Sequence, residues 1–463
     1  MRAPVTPTAS SDADRRYVFH PFSDLGAHER NGSMAMMVSG SGSRLTADDG
    51  REYLDAMAGL WCVNAGYGRV EIADAIREQA VTLPYFHGFS SMATEPPALL
   101  AEKVIGMAGP RMSKIFYGNS GSDANDTQLK IVWMYNNLLG RPEKKKIIAR
   151  ERGYHGVTIA SASLTGLPAM HAAFDLPLPR IKHTSAPHRL WGKNAGETDA
   201  QFSQRLADEL EELILAEGPD TVAAFIGEPV QAAGGVIVPP DGYWAAIQAV
   251  LKKYDILLIA DEVVSGFGRL GGSFGSDLLG MEPDLVTVAK GITSAYVPLS
   301  GVIVSDKVWD VLSGDPAGVF QHGYTYSAHP LAAAAALANL ELIERDGLMD
   351  AVHARGDQLR AALRDAFADH PNVGEVRGMG LVAAVEFVAD RDPMTRFDPA
   401  LKVGARVTRA SLDRGIVTRA LPAADTISFS PPFVVTEEEI GEMVAGTRAA
   451  LDQVADELVR ERV

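Results

Sequence analysis

Along most of the chain, short runs of purely apolar residues alternate with longer segments whose apolar positions recur every three or four residues. Phe202, Leu206, Leu210, Leu213 and Ile214 fall on one helical face, and the run after them, Val222 to Ile226 (VAAFI), has no polar position. Such a run reads as a strand buried on both sides. The pair recurs. Trp244, Ile247, Leu251 and Tyr254 mark a helix, and Ile256 to Ala260 (ILLIA) a strand that ends in Asp261 and Glu262. Leu285 to Ala289 (LVTVA) is a further strand, running directly into Lys290. Helices alternating with almost wholly apolar strands predict an α/β fold with a mainly parallel sheet covered on both faces.

The pattern changes toward both ends. Arg44 to Leu54 (RLTADDGREYL) has the alternation and Asp-Gly turn of a hairpin. Beyond Pro330 an Ala-rich helix runs from Leu331 to a stop at Gly347, and a second spans about Ala351 to Phe367. Leu381 to Val388 (LVAAVEFV) reads as a strand, and a last helix opens on a capping box of Thr436 with Glu439. These features predict a large domain over residues 61–330 and a smaller α+β domain over 331–463, with an N-terminal segment, 1–60, packing on the small domain. The first seventeen residues, rich in Pro, Thr and Ser, predict a flexible tail.

Composition narrows the function classes. A chain of 463 residues, 46% hydrophobic and 22% charged, is long enough to bury ample cores. With 43 basic against 59 acidic residues, the net charge of −16 disfavours nucleic acid and anionic membranes as partners. The single cysteine, Cys62, excludes an intrachain disulfide and a Cys-rich metal site. No run is apolar and long enough for a signal peptide or a membrane span, and no paired metal-ligand spacing occurs; a cytoplasmic protein without a metal is expected.

Candidate chemistry sits at the strand ends, because ligands of open α/β sheets bind at the carboxyl ends of their strands. Three polar residues stand there: Glu228, Asp261 and Lys290. A lone Asp could be a turn or cap residue. A lysine directly after a buried strand is different, since its ammonium must be desolvated unless it is paired or used covalently. Lysine and aspartate on separate strand ends facing one cleft suit pyridoxal 5'-phosphate: the lysine links to the aldehyde, and a buried carboxylate holds the proton on the ring nitrogen. A phosphate cup is offered by Phe116 to Asn125 (FYGNSGSDAN), where Ser120, Gly121 and Ser122 lead into a helix start.

Two motifs suggest other enzymes and lack their context. Gly266, Gly268 and Gly271 spell G-x-G-x-x-G, but the following GSFGSD is too Gly-rich to open the helix that a dinucleotide fingerprint needs. Gly118 to Ser122 approaches the nucleophile elbow G-x-S-x-G, but its last position is serine.

The segments FYGNSGSDANDTQLK, GYHGVT, GEPVQAAGGVIVPP, LLIADEVVSGFGRLG, PDLVTVAKGIT and HGYTYSAHPLAAAAAL, in this order over nearly the whole chain, resemble the class III pyridoxal phosphate-dependent aminotransferases. Within that class the chain is most similar to the ω-amino acid:pyruvate and amine:pyruvate group. The resemblance implies fold type I, a homodimer or higher homo-oligomer with active sites shared between subunits, and amine and keto acid substrates. It implies that Lys290 links to the cofactor and moves protons, and that Asp261 pairs with the ring nitrogen. Tyr154, with His155 beside it, and Val263 would flank the ring, Glu228 would orient it, and Ser120, Gly121 and Ser122 would hold the phosphate. Thr325 would reach the phosphate of the neighbouring subunit. Trp61, Phe89, Ala233 and Arg419, together with Tyr154, would line the substrate pocket. The same scaffold also carries decarboxylases, racemases and aminomutases, and a catalytically silent binding homologue is a further alternative.

Overall fold

The apolar runs assemble side by side into one sheet. In the computed structural model, which describes residues 9–315, 318–423 and 425–461, seven strands lie in the order Met112–Gly118, Ser300–Ser305, Leu285–Val288, Leu257–Asp261, Val222–Gly227, Lys146–Arg150 and Ile181–Thr184. Neighbours pair in parallel except at Ser300–Ser305, which runs against both strands beside it. Side chains alternate across a strand. Phe225, Leu258, Ala260 and Val286 therefore pack with helices Glu95–Ala108, Asp199–Glu217 and Tyr243–Lys253 on one face. Ala224, Ile226, Leu257, Ile259 and Leu285 meet helices Gly121–Leu138 and Asp306–Ser313 on the other. Both faces are covered, which is why these strands carry no polar alternation.

A second core joins the two ends of the chain. Strands Val373–Met379, Val382–Phe387, Thr426–Phe429 and Arg419–Ala420 form an antiparallel sheet, packed against helices Leu348–Phe367, Val403–Asp413 and Glu437–Glu461. The hairpin of Arg44–Ala47 with Glu52–Asp55 forms around its Asp-Gly turn, and Glu52–Asp55 then pairs in parallel with Ile416–Val417. The capping box is present: Glu439 N donates to Thr436 Oγ1 at 3.2 Å, and Thr436 N to Glu439 Oε2 at 3.1 Å. Helix Pro330–Arg345 serves both cores, giving Ala332, Ala336 and Leu340 to the large sheet and Ala335, Leu342 and Ile343 to the small one.

The expected flexible tail is corrected in its described part: Ala9–Tyr17 is a helix, and residues 1–8 lie outside the described residues. The G-x-G-x-x-G stretch is a loop wound around a buried carboxylate. Glu262, fully buried, accepts from Ser265 Oγ at 2.5 Å, Gly275 N at 2.9 Å and Ser276 N at 2.5 Å. Gly268 and Gly271 turn with φ of +100° and +97°, a region closed to most side chains.

Candidate active site

A cavity of about 800 Å³ opens at the carboxyl ends of the parallel strands, where an open α/β sheet places its ligand. Asp261 ends its strand on the same face as Leu257 and Ile259, toward helix Gly121–Leu138, and only 3% of it is exposed. That helix sends Asn125 to it: Asn125 Nδ2 donates to Asp261 Oδ2 at 3.0 Å and to the His155 carbonyl at 2.7 Å. The His155 ring, buried, lies with Nδ1 2.8 Å from the same Oδ2, and Val263 N donates to Oδ1 at 3.1 Å. Thr287 Oγ1 in turn donates to Asn125 Oδ1 at 2.6 Å and meets Gln128 Nε2. A carboxylate held by charge-independent amides and a ring in a dry setting is fixed in place before any ligand arrives.

Lys290 stands with φ of +47° at the break between strand Leu285–Val288 and the turn after it. It lines the cavity, and among the described residues its ammonium has no hydrogen-bond or ion-pair partner. Burial pushes its pKa below the ordinary lysine value, while the more distant Cys62, Asp261 and Glu228 pull the other way.

The phosphate cup is a helix start. Ser120 caps helix Gly121–Leu138 by accepting from Asp123 N at 3.2 Å, and the Asp123 carboxylate accepts from Asn119 N and Ser120 N. That leaves the N–H groups of Gly121 and Ser122 without partners among the described residues, while Ser122 Oγ accepts from Val157 N at 3.1 Å. A Cβ on Gly121 would come within 3.0 Å of a Val263 methyl, so only glycine leaves this wall open.

Glu228 uses both carboxylate oxygens on backbone: Oε1 accepts from Tyr154 N at 3.0 Å and Oε2 from Ala232 N at 2.9 Å. Burial raises its pKa. It ties Tyr154 to the loop that carries Ala233, and all three line the cavity, as do Trp61, Val263 and His155. Arg419 completes the wall. Its strand follows Thr418, which bridges the change from the N-terminal sheet at Ile416–Val417 to the small-domain sheet at Arg419–Ala420. Burial lowers its pKa, opposed by Tyr154, and no carboxylate pairs with it among the described residues.

Phe89 does not join this wall, and Thr325, expected at a neighbouring subunit's phosphate, lies outside it. Phe89, 47% exposed, packs against Gly323, and Thr325 is exposed, with its carbonyl accepting from Tyr85 OH at 2.6 Å. Conversely, sequence reasoning overlooked Asn125, Thr287 and the cavity residues Pro21 and Phe22. Thr287 left a signal, as the one polar position of LVTVA; Pro21 and Phe22 left none.

The aminotransferase class-III family model matches residues 26–451. The chain belongs to the class III aminotransferases. It is 53% identical, over 97% of each chain, to the diaminobutyrate–2-oxoglutarate transaminase of Halomonas elongata. It is 49% identical to a mitochondrial gamma aminobutyrate transaminase of Solanum lycopersicum, covering 87% of this chain and 78% of that one. The crystal structure of the omega transaminase from Pseudomonas jessenii in complex with PMP superposes with a TM-score of 0.94 at 44% identity, covering 97% of this chain and 99% of that one. The protein is a pyridoxal phosphate-dependent transaminase, and the fold and cofactor implied by the sequence resemblance hold. The residues present fit that cofactor: free N–H groups for a dianion, a preset buried carboxylate for a ring nitrogen, and an unpaired amine for an aldehyde. No described helix is long and apolar enough to cross a membrane.

Proposed function

We propose that this transaminase moves an amino group from a primary amine or ω-amino acid to pyruvate or a similar keto acid, in two half-reactions at one cavity. The observation that carries this reading is the unpaired Arg419 guanidinium on the same wall as Lys290 and Tyr154. A guanidinium grips a carboxylate through two parallel hydrogen bonds, and its long stem lets it withdraw when the substrate offers an apolar group instead. The cavity's other substrate-side residues, Trp61, Ala233 and Val230, are apolar. One pocket can thus take an amine without a carboxylate and an acceptor with one.

When bound, pyridoxal phosphate supplies an aldehyde that takes up the amine and a ring that withdraws electrons from the substrate carbon. Gly121 and Ser122 would hold the phosphate through their N–H groups, and Asp261 would keep the ring nitrogen protonated. Tyr154 and Val263 would flank the ring, with His155 and Asn125 holding the aspartate. Lys290, whose pKa burial lowers, would form the covalent link and then carry the proton between substrate and cofactor carbons. Glu228 would keep Tyr154 in register. Thr325 and Phe89, away from this chain's cavity, would act in a neighbouring subunit's site.

The test is a panel of β-alanine, γ-aminobutyrate and 1-phenylethylamine offered with pyruvate or with 2-oxoglutarate, reading alanine and glutamate. Alanine is the expected product. Glutamate alone would overturn the acceptor assignment and leave the transaminase itself standing.

A further inference from the structure

Outside the cavity, two groups of side chains bring three potential metal ligands together among the described residues. One, His188 with Glu375 and Glu386, already has its cation: Arg377 Nη1 lies 2.6 Å from Glu386 and 2.7 Å from Glu375. The other, Asp14 with His20 and His28, has none among the described residues. Asp14 sits on helix Ala9–Tyr17, His28 on helix Leu25–Asn31, and His20 on the segment between them. The near cation, Arg15, is spent elsewhere, on Asp12 at 3.4 Å and the Glu29 carbonyl at 3.3 Å.

From this arrangement we propose that Asp14, His20 and His28 form a site for a zinc-class divalent cation that clasps the N-terminal segment over the active-site cavity. His20 Nε2 lies 2.9 Å from Asp14 Oδ1, and His28 Nε2 3.8 Å from Asp14 Oδ2. All the ligand atoms fall within 4.8 Å of one another. Ligands of a tetrahedral zinc stand about 3.3 Å apart, given bonds of about 2.0 Å, so these separations bracket what the ion needs. Two imidazoles and one carboxylate suit zinc and leave a position for water. His28 Nε2 is the telling atom: it is buried and makes no hydrogen bond, a state that costs free energy unless something coordinates it. Ser33 Oγ donates to Asp14 Oδ2, the kind of outer contact that orients a metal-bound carboxylate.

The site has a place in the protein's work. The segment joining the two helices carries Pro21 and Phe22, which line the cavity. Phe22 is otherwise 69% exposed. Metal at the clasp ties the two short helices together and fixes that part of the wall.

The experiment uses chelator-treated holoenzyme, titrated with Co²⁺ as a visible probe and with Zn²⁺ by calorimetry. One ion per chain should bind. His28→Ala should weaken it by about a hundredfold or more and Ser33→Ala by about tenfold, as loss of an inner and an outer contact. Asp14→Asn, which keeps the side chain's shape and removes its charge, gives a second readout: Zn²⁺ should slow tryptic cleavage after Arg16 in the wild type and not in this variant. No binding, binding unchanged in His28→Ala, or equal protection in Asp14→Asn would each overturn the site.

Discussion

Asp261 and Arg419 face the same cavity with opposite charge, and the protein treats them in opposite ways. Asp261 is almost fully buried, with Asn125, His155 and Val263 N around its two oxygens and Thr287 and Gln128 behind Asn125. Arg419 has no counter-charge among the described residues, on a two-residue strand where one sheet gives way to another. The contrast fits the roles proposed for the two ends. A group that serves every turnover with the same partner gains from being preorganised, because no reorganisation is left to the reaction itself. A group that meets a carboxylate in one half-reaction and none in the other loses by being fixed, since a permanent ion pair would have to be broken each cycle.

The largest expected effect lies between the two ends. Lys290→Ala should lower transamination by about 10⁴-fold or more, since it removes both nucleophile and proton carrier. Borohydride treatment of wild-type protein should fix the cofactor to the peptide bearing Lys290; modification of any other lysine overturns the assignment. At the rigid end, Asp261→Asn should keep cofactor yet lose about 3 kcal/mol of transition-state stabilisation, roughly a hundredfold in kcat. Near-normal turnover there would mean that the carboxylate's preset geometry is structural only.

At the adaptable end, Arg419→Ala should raise KM for pyruvate about thirtyfold, the loss of a charged contact worth about 2 kcal/mol. Turnover of 1-phenylethylamine in the first half-reaction should change far less. Equal losses in both would erase the contrast. A smaller effect sharpens it: Thr287→Val, which touches Asp261 only through Asn125, should cost about 1 kcal/mol, roughly fivefold in kcat, and displace the pH profile without raising KM for pyruvate.

The mildest prediction concerns protons. Burial lowers the pKa of Lys290, so between that value and the ordinary 10.5 of an unfolded lysine the unfolded chain binds more protons. Stability of the cofactor-free protein should therefore rise with pH through that window. The rate of cofactor uptake should instead rise as pH approaches the lowered value from below and stay level through the window above it, as followed by absorbance. A Lys290→Met protein, unable to titrate there, should lose the stability trend.

The parallel sheet was legible because its strands are buried on both faces and so carry unbroken apolar runs; VAAFI and ILLIA need no tertiary knowledge. The strand Ser300–Ser305 was not read, since nothing local tells an antiparallel insertion from a loop. Asp261 and Lys290 were visible as polar residues where such runs stop, and the Ser120 cup as a helix-start pattern. Phe89 shows the limit of the same reading, because its place relative to this chain's cavity depends on how the chain folds back between residues 85 and 92.

By itself, the sequence determined the periodicities, the caps and turns, and the residue types at strand ends, all of which depend on neighbours a few positions away. Only the tertiary structure decided that Asn125, Thr287 and His155 converge on one carboxylate. It alone set Arg419 unpaired at the change of sheets and brought Phe22 to the cavity. Those outcomes rest on segments tens to hundreds of residues apart, and long-range packing fixes which side chains meet with no trace in local pattern.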